Sequence, residues 1–164
     1  MKKTIFAVLA LALVLGVSVH ASARIEVNGQ EVENPCTFEG DAEYVHAGAA
    51  GDVLTVKGKL YNDRPVEELC TVDAHNGATI EVTGEISDAS AGDAVYAYNS
   101  TVTAGGNVYE YFKGAGIYAT FHSKVTAGGN VNEGGEGDGV FARASPVEVL
   151  GQVLQAGAGS AVRA

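Results

Sequence analysis

The sequence is poor in several residue types that whole classes of protein require. Among its 164 residues there are two cysteines, three prolines, one methionine, no tryptophan, and only ten basic residues against twenty acidic ones. The formal charge of −10 argues against binding to the phosphates of nucleic acid. The 22 glycines follow no triplet rule, which excludes collagen. Because 46% of the residues are hydrophobic, the chain can form one domain with a buried core.

The start of the chain has the layout of a secretory signal peptide. Two early lysines precede an apolar run over residues 5–17, and small residues follow it. This run is too short to cross a bilayer, which takes about 20 apolar residues. We therefore predict that residues 1–23 are removed by cleavage between Ala23 and Arg24. No further apolar run follows, so we expect a secreted, extracellular or cell-surface protein without a transmembrane segment, with the periplasm as the alternative.

The two cysteines, Cys36 and Cys70, lie in the part of the chain that export would deliver to an oxidising compartment. An even pair there predicts one disulfide. It would close a loop of about 35 residues and add roughly 3–4 kcal/mol of stability. Metal binding is the weaker alternative, because two cysteines lack partner ligands at finger-like spacing.

The chain after the signal peptide contains a repeat, and repeats are sought before local structure is assigned. The string Val-Thr-Ala-Gly-Gly-Asn-Val occurs at 102–108 and again at 125–131. Two further copies are recognisable by pattern, at 79–86 and 146–153. A second landmark of the type Val-Tyr-Ala recurs in steps of 22, 23 and 22 residues, beginning at positions 95, 117, 140 and 162. Two landmarks in phase indicate a regular repeat over residues 79–164.

Earlier copies of the repeat are weaker. Residues 53–60 fit the first landmark and residues 25–29 fit its opening half, so we expect irregular coils over 24–78, where the predicted disulfide also lies. Each unit alternates apolar and polar residues like a half-buried strand, and no segment has the stripe of an amphipathic helix. Such a repeat cannot bury its apolar face alone, whereas successive turns can cover one another. The pattern predicts an all-β protein, a single-stranded parallel β-helix of about five to six coils of 22–23 residues.

Units such as residues 100–108 followed by 116–119 resemble the repeats of right-handed parallel β-helix proteins. These are secreted and cell-surface bacterial proteins that include adhesin-like repeat proteins and resemble the passenger regions of autotransporters. The resemblance covers 79–164 well and 24–78 loosely, and it implies a right-handed solenoid. Members of the group include polysaccharide lyases and hydrolases, but many are not enzymes, so the resemblance specifies architecture better than activity.

A second resemblance is to chaperone–usher pilin subunits, which are incomplete immunoglobulin-like sandwiches completed by a neighbour's strand. It rests on the signal peptide, the total length, an early Cys36 after residues 27–29, and a second Cys70 after residues 65–69. The chain departs from that family because it is rich in glycine and has no closing aromatic-x-Tyr motif. The pilin-like sandwich is therefore the alternative fold.

Acidic residues are the candidates for a weak Ca²⁺ site, because this hard cation takes carboxylate oxygens. In the repeat frame Asp93 and Asp138 occupy equivalent places two coils apart, and Glu136 lies with Asp138 in an acidic linker over residues 133–138. A solvated acidic turn is the favoured interpretation of this linker. We therefore predict no cofactor, with Ca²⁺ as the weaker alternative.

The histidines give no catalytic motif, because none lies in a recognised serine or cysteine hydrolase pattern. No residue is assigned a catalytic role. His46 and His75 fall near equivalent places in early coils, and solvated polar positions explain them better than metal binding.

The most suggestive surface feature is a row of aromatic side chains. If the apolar residue of each second landmark faces inward, then Tyr96, Tyr118 and Phe141 face outward and stack about 4.8 Å apart. Three more tyrosines are expected in the same region: Tyr98, Tyr109 and Tyr111. Such a row suits stacking against sugar rings or docking of a partner chain. The predicted ligand-binding residues are the three residues of the row together with Tyr98.

These patterns predict a non-catalytic structural or adhesion module that binds a glycan or a surface protein through its exposed aromatic row. One alternative is a polysaccharide-active β-helix enzyme, a lyase or a hydrolase. The other is a pilin-type fimbrial subunit. Because the last coil has no capping element and exposed strand edges are sticky, we also expect self-association through open coil ends.

Overall fold

A computed structural model describes residues 25–64 and 69–164. The predicted signal peptide and its cleavage position between Ala23 and Arg24 lie outside the described residues. Every regular element in the described part is a β-strand, as the alternation of apolar and polar residues predicts. These residues include no helix with the length and apolarity that crossing a membrane requires.

Nineteen strands follow one another along the described residues. Three of them precede the regular winding: β1 (Ile25–Val27), β2 (Gln30–Val32) and β3 (Cys36–Glu39). Five coils of three strands each follow: β4 (Val45–Ala47), β5 (Val53–Lys57), β6 (Leu60–Asn62); β7 (Val72–His75), β8 (Thr79–Val82), β9 (Ile86–Asp88); β10 (Val95–Tyr98), β11 (Thr101–Ala104), β12 (Val108–Glu110); β13 (Ile117–Thr120), β14 (Lys124–Ala127), β15 (Val131–Glu133); β16 (Val140–Arg143), β17 (Val147–Val149) and β18 (Val153–Gln155). A short last strand is β19 (Val162–Arg163).

The three strands of each coil belong to three different sheets. Sheet A contains β2, β1, β4, β7, β10, β13, β16 and β19 in that order, sheet B contains β3, β5, β8, β11, β14 and β17, and sheet C contains β6, β9, β12, β15 and β18. All pairings among β3 to β19 are parallel and join a strand to its equivalent one coil away. The chain is therefore a parallel β-solenoid of about five turns, which confirms the predicted fold. The pilin-like sandwich is wrong, because a sandwich is built from antiparallel sheets.

From β7 onward the register repeats in steps of 22 or 23 residues, whereas the earlier coils are irregular, as the step of 27 residues between Val45 and Val72 shows. In sheet A, Ile117 pairs with Val95 on one side and with Val140 on the other. Equivalent side chains therefore stack in columns along the axis. The inward columns that alternation predicts are buried through the fourth coil: Ile80, Val82, Val102, Ala104, Val125, Ala127, Ile86, Val108 and Val131. Their members in the last coil, Val147, Val149 and Val153, are partly buried against the same core. Each large aliphatic side chain buried in this way contributes roughly 1.5–3 kcal/mol, so the stacked columns are the main source of stability.

The N-terminal end of the solenoid does not have the predicted coil structure. Residues 25–29 were expected to begin a coil, but β1 lies in sheet A and runs antiparallel to both β2 and β4. Asn28 and Gly29, with φ angles of 53° and 73°, form the two-residue turn between β1 and β2. Asn-Gly is a preferred sequence for such hairpin turns, because both positions require positive φ. A hairpin, rather than a coil, therefore continues sheet A beyond β4.

The predicted disulfide between Cys36 and Cys70 is not present, since both cysteines are free. Cys36 begins β3 of sheet B and packs against the core. Cys70 lies two residues before the start of β7 in sheet A and lines a hollow with Asp73. Burial raises the pKa of the Cys70 thiol and so keeps it neutral. The disulfide was predicted because the chain has two cysteines that export would deliver to one oxidising compartment. In the fold, Cys36 lies in sheet B, whereas Cys70 lies beside a strand of sheet A.

Each turn that leaves sheet A passes through a residue in the left-handed conformation. The residues that directly follow β7, β10, β13 and β16 are Asn76, Asn99, Phe121 and Ala144, with φ angles of 54°, 47°, 55° and 49°. Asparagine is enriched in this conformation, whereas most other residues lose about 1–2 kcal/mol in it. The last two of these turns are therefore strained relative to the first two.

Glycines stack in the linker that returns from sheet C to sheet A. Gly92, Gly114, Gly137 and Gly159 occupy equivalent positions in successive coils. A Cβ atom added to any of the last three would lie 1.8 Å from the carbonyl oxygen of the glycine one coil before. The backbones of successive coils approach too closely here for any side chain, which explains why this position of the repeat is glycine.

Candidate functional site

Three aromatic rings stack on the outer face of sheet A, as predicted. The ring centroids of Tyr96 and Tyr118 are 5.4 Å apart at an interplanar angle of 5°, and those of Tyr118 and Phe141 are 4.7 Å apart at 7°. We call this row the ring stack. Because the rings lie face to face, each covers a face of its neighbour, and all three are half-buried. The ring stack therefore presents ring edges to the solvent more than ring faces.

Tyr98 lies on the same outer face but outside the ring stack. Its ring is tilted against Phe121 at 4.6 Å and against His75 at 6.2 Å. Phe121 is 55% exposed, so this pair is a more open part of sheet A. The structure thus brings all four predicted binding residues to one face, as three stacked rings and one tilted ring.

Tyr109 and Tyr111 do not lie on this face, which corrects the prediction that they extend the row. Tyr109 is in β12 of sheet C, and Tyr111 directly follows that strand. Their rings stack on each other with centroids 5.9 Å apart. Both line a groove with Tyr61 of β6. The alternation of apolar and polar residues shows which side chains face outward, but it does not show on which of the three sheets an outward side chain lies.

The groove on the outer face of sheet C has a volume of about 460 Å³, and we call it the sheet C groove. Two of its tyrosines, Tyr61 and Tyr111, are 55% and 54% exposed. Polar residues share the walls: Asp41, Lys59, Glu85 and Ser87. The Lys59 ammonium lies 2.8 Å from a Glu85 oxygen, and the Lys59 backbone N–H donates to Asp41 Oδ1 at 2.8 Å. The groove therefore combines exposed rings with charged and hydroxyl groups.

The neighbours within the row explain why Tyr61 is exposed and why Tyr109 stacks on Tyr111 and not on Tyr61. The outward row of sheet C consists, in successive coils, of Tyr61, Ser87, Tyr109, Asn132 and Leu154. A small serine separates the two tyrosines, so they stand two coils, or roughly 9.5 Å, apart. Rings at this spacing cannot stack as they do on sheet A. An aromatic surface with a few convergent polar groups is typical of small-molecule sites.

The three acidic candidates for Ca²⁺ binding are not brought together. Asp93 Oδ1 accepts a hydrogen bond from the Ala115 N–H at 2.6 Å, and Asp138 Oδ1 accepts one from the Ser160 N–H at 2.8 Å. Burial raises the pKa of Asp93 to about 6. Glu136 is exposed. The two aspartates therefore connect successive coils through hydrogen bonds, and the described residues place no three carboxylates around one position.

A different group of residues does come together. Within the described part of the chain, one trio has ligand atoms that all lie within 4.8 Å of one another: His46, Asp73 and His75. His46 Nδ1 is 2.9 Å from Asp73 Oδ2, and His75 Nε2 is 2.5 Å from Asp73 Oδ1. The hydrogen bond to Asp73 raises the pKa of His46. We call this trio the histidine–aspartate cluster. Its histidines were expected at solvated positions, and nothing in the sequence pattern pointed to Asp73.

Three carboxyl groups occupy the interior of sheet C, which sequence analysis also missed. Asp88, Glu110 and Glu133 pair in register and are at most 1% exposed. Each accepts a hydrogen bond from the backbone N–H two residues further on. Burial raises the pKa of Glu110 to about 9 and that of Glu133 to about 7. Glu133 was expected in a solvated linker. It lies two residues after Val131 in the same strand, so its side chain faces the interior as that of Val131 does.

The chain matches no protein-family model, no curated protein and no solved structure. The functional assignment therefore depends on geometry. Three regions qualify: the ring stack, the sheet C groove and the histidine–aspartate cluster.

Proposed function

We propose that this protein is a non-catalytic binding module of the adhesin-like β-helix type, secreted or at the cell surface, whose sheet C groove holds a glycan. The observation that carries the proposal is the exposure of the Tyr61 and Tyr111 rings beside the Lys59–Glu85 ion pair. Parallel pairing with neighbouring coils holds the strands of the groove in place. The binding surface is therefore preorganised, which lowers the entropic cost of binding.

The groove offers the two kinds of contact that a sugar requires. The apolar face of a pyranose ring packs on an exposed tyrosine ring, while its hydroxyl groups exchange hydrogen bonds with Lys59 and Glu85. The groove carboxylates are already engaged, because Glu85 pairs with Lys59 and Asp41 accepts the Lys59 N–H. A glycosidase needs two carboxyl groups free to act on the scissile bond. This arrangement favours binding over hydrolysis.

The ring stack, with Tyr98, is the competing site within this proposal. The ring of Tyr118 has neighbours on both sides, so little of its face is available to a sugar. The row forms an apolar strip of ring edges, which suits a protein partner better than a glycan. We therefore assign the ring stack a stabilising role and use its variants as the comparison in the binding experiment.

The last coil is the proposed surface for self-association. Three of its apolar residues, Leu150, Leu154 and Val162, are 66%, 46% and 58% exposed. The strands β17, β18 and β19 each stand at the edge of a sheet. Unpaired edges can accept strands of a second copy. We expect end-to-end association in sedimentation velocity at high protein concentration, and a strictly monomeric species there would contradict this part of the proposal.

Retention on immobilised surface and plant glycans tests the proposal. We expect at least one glycan to retain the protein without release of a product. Tyr61→Ala should weaken that retention roughly tenfold, since one ring contact is worth about 1 kcal/mol or slightly more. The matched control is Asn132→Ala, which changes a residue of the same outward row outside the groove and should leave retention unchanged.

The other outcomes identify the competing functions. Retention that survives Tyr61→Ala and is lost in Tyr118→Ala would move the binding site to the ring stack. Product release that stops when a chelator is added would replace the proposal with a Ca²⁺-dependent polysaccharide enzyme. If no glycan on the panel retained the protein, the proposal of glycan binding would be contradicted.

A further inference from the structure

We infer that the histidine–aspartate cluster binds a divalent transition metal of the class that prefers imidazole ligands, represented by Zn²⁺. Its three side chains already offer ligand atoms within 4.8 Å of one another. The inference goes beyond the proposed function and does not depend on it, because the cluster lies on sheet A and the groove on sheet C.

Strand pairing holds the three ligands on one face. His46 in β4 pairs in register with Asp73 in β7, and His75 lies two residues after Asp73 in the same strand. Side chains two residues apart on a strand point to the same side. The ligands therefore come from two hydrogen-bonded strands, which position a metal site more precisely than loops do.

The present distances need only a small adjustment to hold an ion. Zinc bonds of about 2.0–2.1 Å in tetrahedral geometry place ligand atoms about 3.3 Å apart. The Asp73 oxygens lie 2.9 and 2.5 Å from the two histidine nitrogens, so these atoms have to separate by less than about 1 Å. The two histidine nitrogens, which lie within 4.8 Å of each other, have to approach by at most about 1.5 Å. The imidazole rings of His46 and His75 are 5.7 Å apart and tilted by 48°, and the His75 ring is held by Tyr96 at 5.2 Å and Tyr98 at 6.2 Å.

The donor set selects the class of ion. Imidazole nitrogens suit zinc, copper and nickel, whereas Ca²⁺ takes oxygen ligands. Two histidines and one carboxylate leave at least one coordination position for another ligand. The cluster borders a hollow of about 270 Å³ that Glu26, Tyr44 and Cys70 also line. A water molecule or a small ligand entering this hollow can complete the coordination.

The surrounding charge also favours a cation. Glu26 pairs in register with His46 from the far side of β4, and Asp52 is near enough to raise the pKa of the same ring. With Asp73, three carboxylates therefore act on the position that the ion would occupy. An ion with a double positive charge is stabilised by this potential more than a single proton is.

Zinc titration of the purified, untagged and metal-free protein tests the inference. We expect one equivalent of Zn²⁺ to bind in competition with a chromophoric chelator, and one equivalent of Co²⁺ to give visible absorption bands. His75→Gln and Asp73→Asn should each weaken Zn²⁺ binding at least tenfold, because each removes one of three ligands. The matched control is His122→Asn, since His122 is an exposed histidine outside the cluster.

Circular dichroism and melting temperature in chelator establish that each variant is folded, so that lost binding is not lost structure. If His75→Gln does not fold, His46→Gln tests the ligand on the other strand. The inference is overturned if the wild-type protein binds no stoichiometric zinc, or if the cluster variants bind it as tightly as the wild type. Loss of binding in His122→Asn alone would overturn it as well.

Discussion

Sheets A and C are wound by the same chain in the same register, yet they use aromatic residues differently. In sheet A, aromatic residues occupy three successive coils, so Tyr96, Tyr118 and Phe141 stack and hide their faces. In sheet C, a serine separates Tyr61 from Tyr109, and Tyr61 stays 55% exposed. The same residue type therefore forms a continuous stack on sheet A, whereas on sheet C Tyr109 stacks on Tyr111 and Tyr61 is left exposed.

The interiors of the two sheets differ as well. The inward columns of sheet A are apolar, as Val95 and Ala97 show. Sheet C instead buries Asp88, Glu110 and Glu133 at register-equivalent positions. In a solenoid the informative unit is thus the column, because the role of a side chain depends on the residues one repeat before and after it.

The largest expected effect concerns the linker that keeps the two sheets in one register. Gly137→Ala should lower the free energy of unfolding by about 3 kcal/mol or more, because its Cβ would lie 1.8 Å from the Gly114 carbonyl oxygen and the backbone would have to move. Urea denaturation measures the loss. The control is Gly134→Ala in the same linker, where the nearest atom would be 3.6 Å away. Equal effects of the two substitutions would show that the linker does not set the register.

The interior of sheet C should make stability depend on pH. Because the pKa of Glu110 rises from its ordinary 4.5 to about 9 on burial, the folded state holds a proton that the unfolded state releases. The contribution of Glu110 to the free energy of unfolding is therefore greatest below pH 4.5, and it decreases as the pH rises towards 9. Glu110→Gln removes this loss, so it should stabilise the protein at pH 9 by an amount on the order of several kcal/mol and change little at pH 4.5.

Urea denaturation at both pH values checks this prediction. Glu136→Gln is the control, because Glu136 is an exposed glutamate in the linker that follows β15. This variant should show the same pH dependence as the wild type. A Glu110→Gln variant with the same pH dependence as the wild type would show that this carboxyl is not buried in its protonated form.

A smaller effect separates the two aromatic faces. Tyr118→Ala should cost about 1–3 kcal/mol, since it removes two stacked ring pairs of about 0.5–1.5 kcal/mol each. Tyr61→Ala should change the free energy of unfolding by less than about 0.5 kcal/mol, because it truncates an exposed side chain. Equal losses in urea denaturation would remove the distinction between the faces.

The smallest effect concerns the turns that leave sheet A. Ala144→Asn should raise the free energy of unfolding by less than about 1 kcal/mol, because asparagine tolerates the left-handed conformation that Ala144 adopts at φ 49°. Thermal denaturation can resolve this gain. The matched control is Ala142→Asn, in the preceding strand, which should destabilise, and a loss in both variants would contradict the strain assigned to this turn.

The regular part of the fold was predictable because the repeat constrains it twice. Two landmarks in phase determine which residues share a column, and alternation determines which of them face inward, as with Val102 and Val125. The ring stack followed from the same two rules. The histidine–aspartate cluster followed only in part, because insertions in the early coils hid the pairing of His46 with Asp73.

The errors have local causes. Asn28 and Gly29 form a hairpin turn whose preference outweighed a weak resemblance to the repeat. Tyr109 was assigned to the wrong face because alternation does not tell one sheet from another. Glu133 was placed in solvent because charge was given more weight than its position two residues after an inward valine. The disulfide was predicted from the number of cysteines and the expected oxidising compartment, and neither gives the distance between the two thiols.

The most direct test of this account measures glycan retention and the free energy of unfolding on the same two variants. We predict that Tyr61→Ala loses retention and keeps its stability, whereas Tyr118→Ala loses stability and, while folded, keeps retention. If Tyr118→Ala instead loses retention at unchanged stability while Tyr61→Ala keeps it, sheet A is the binding face and the central claim is contradicted.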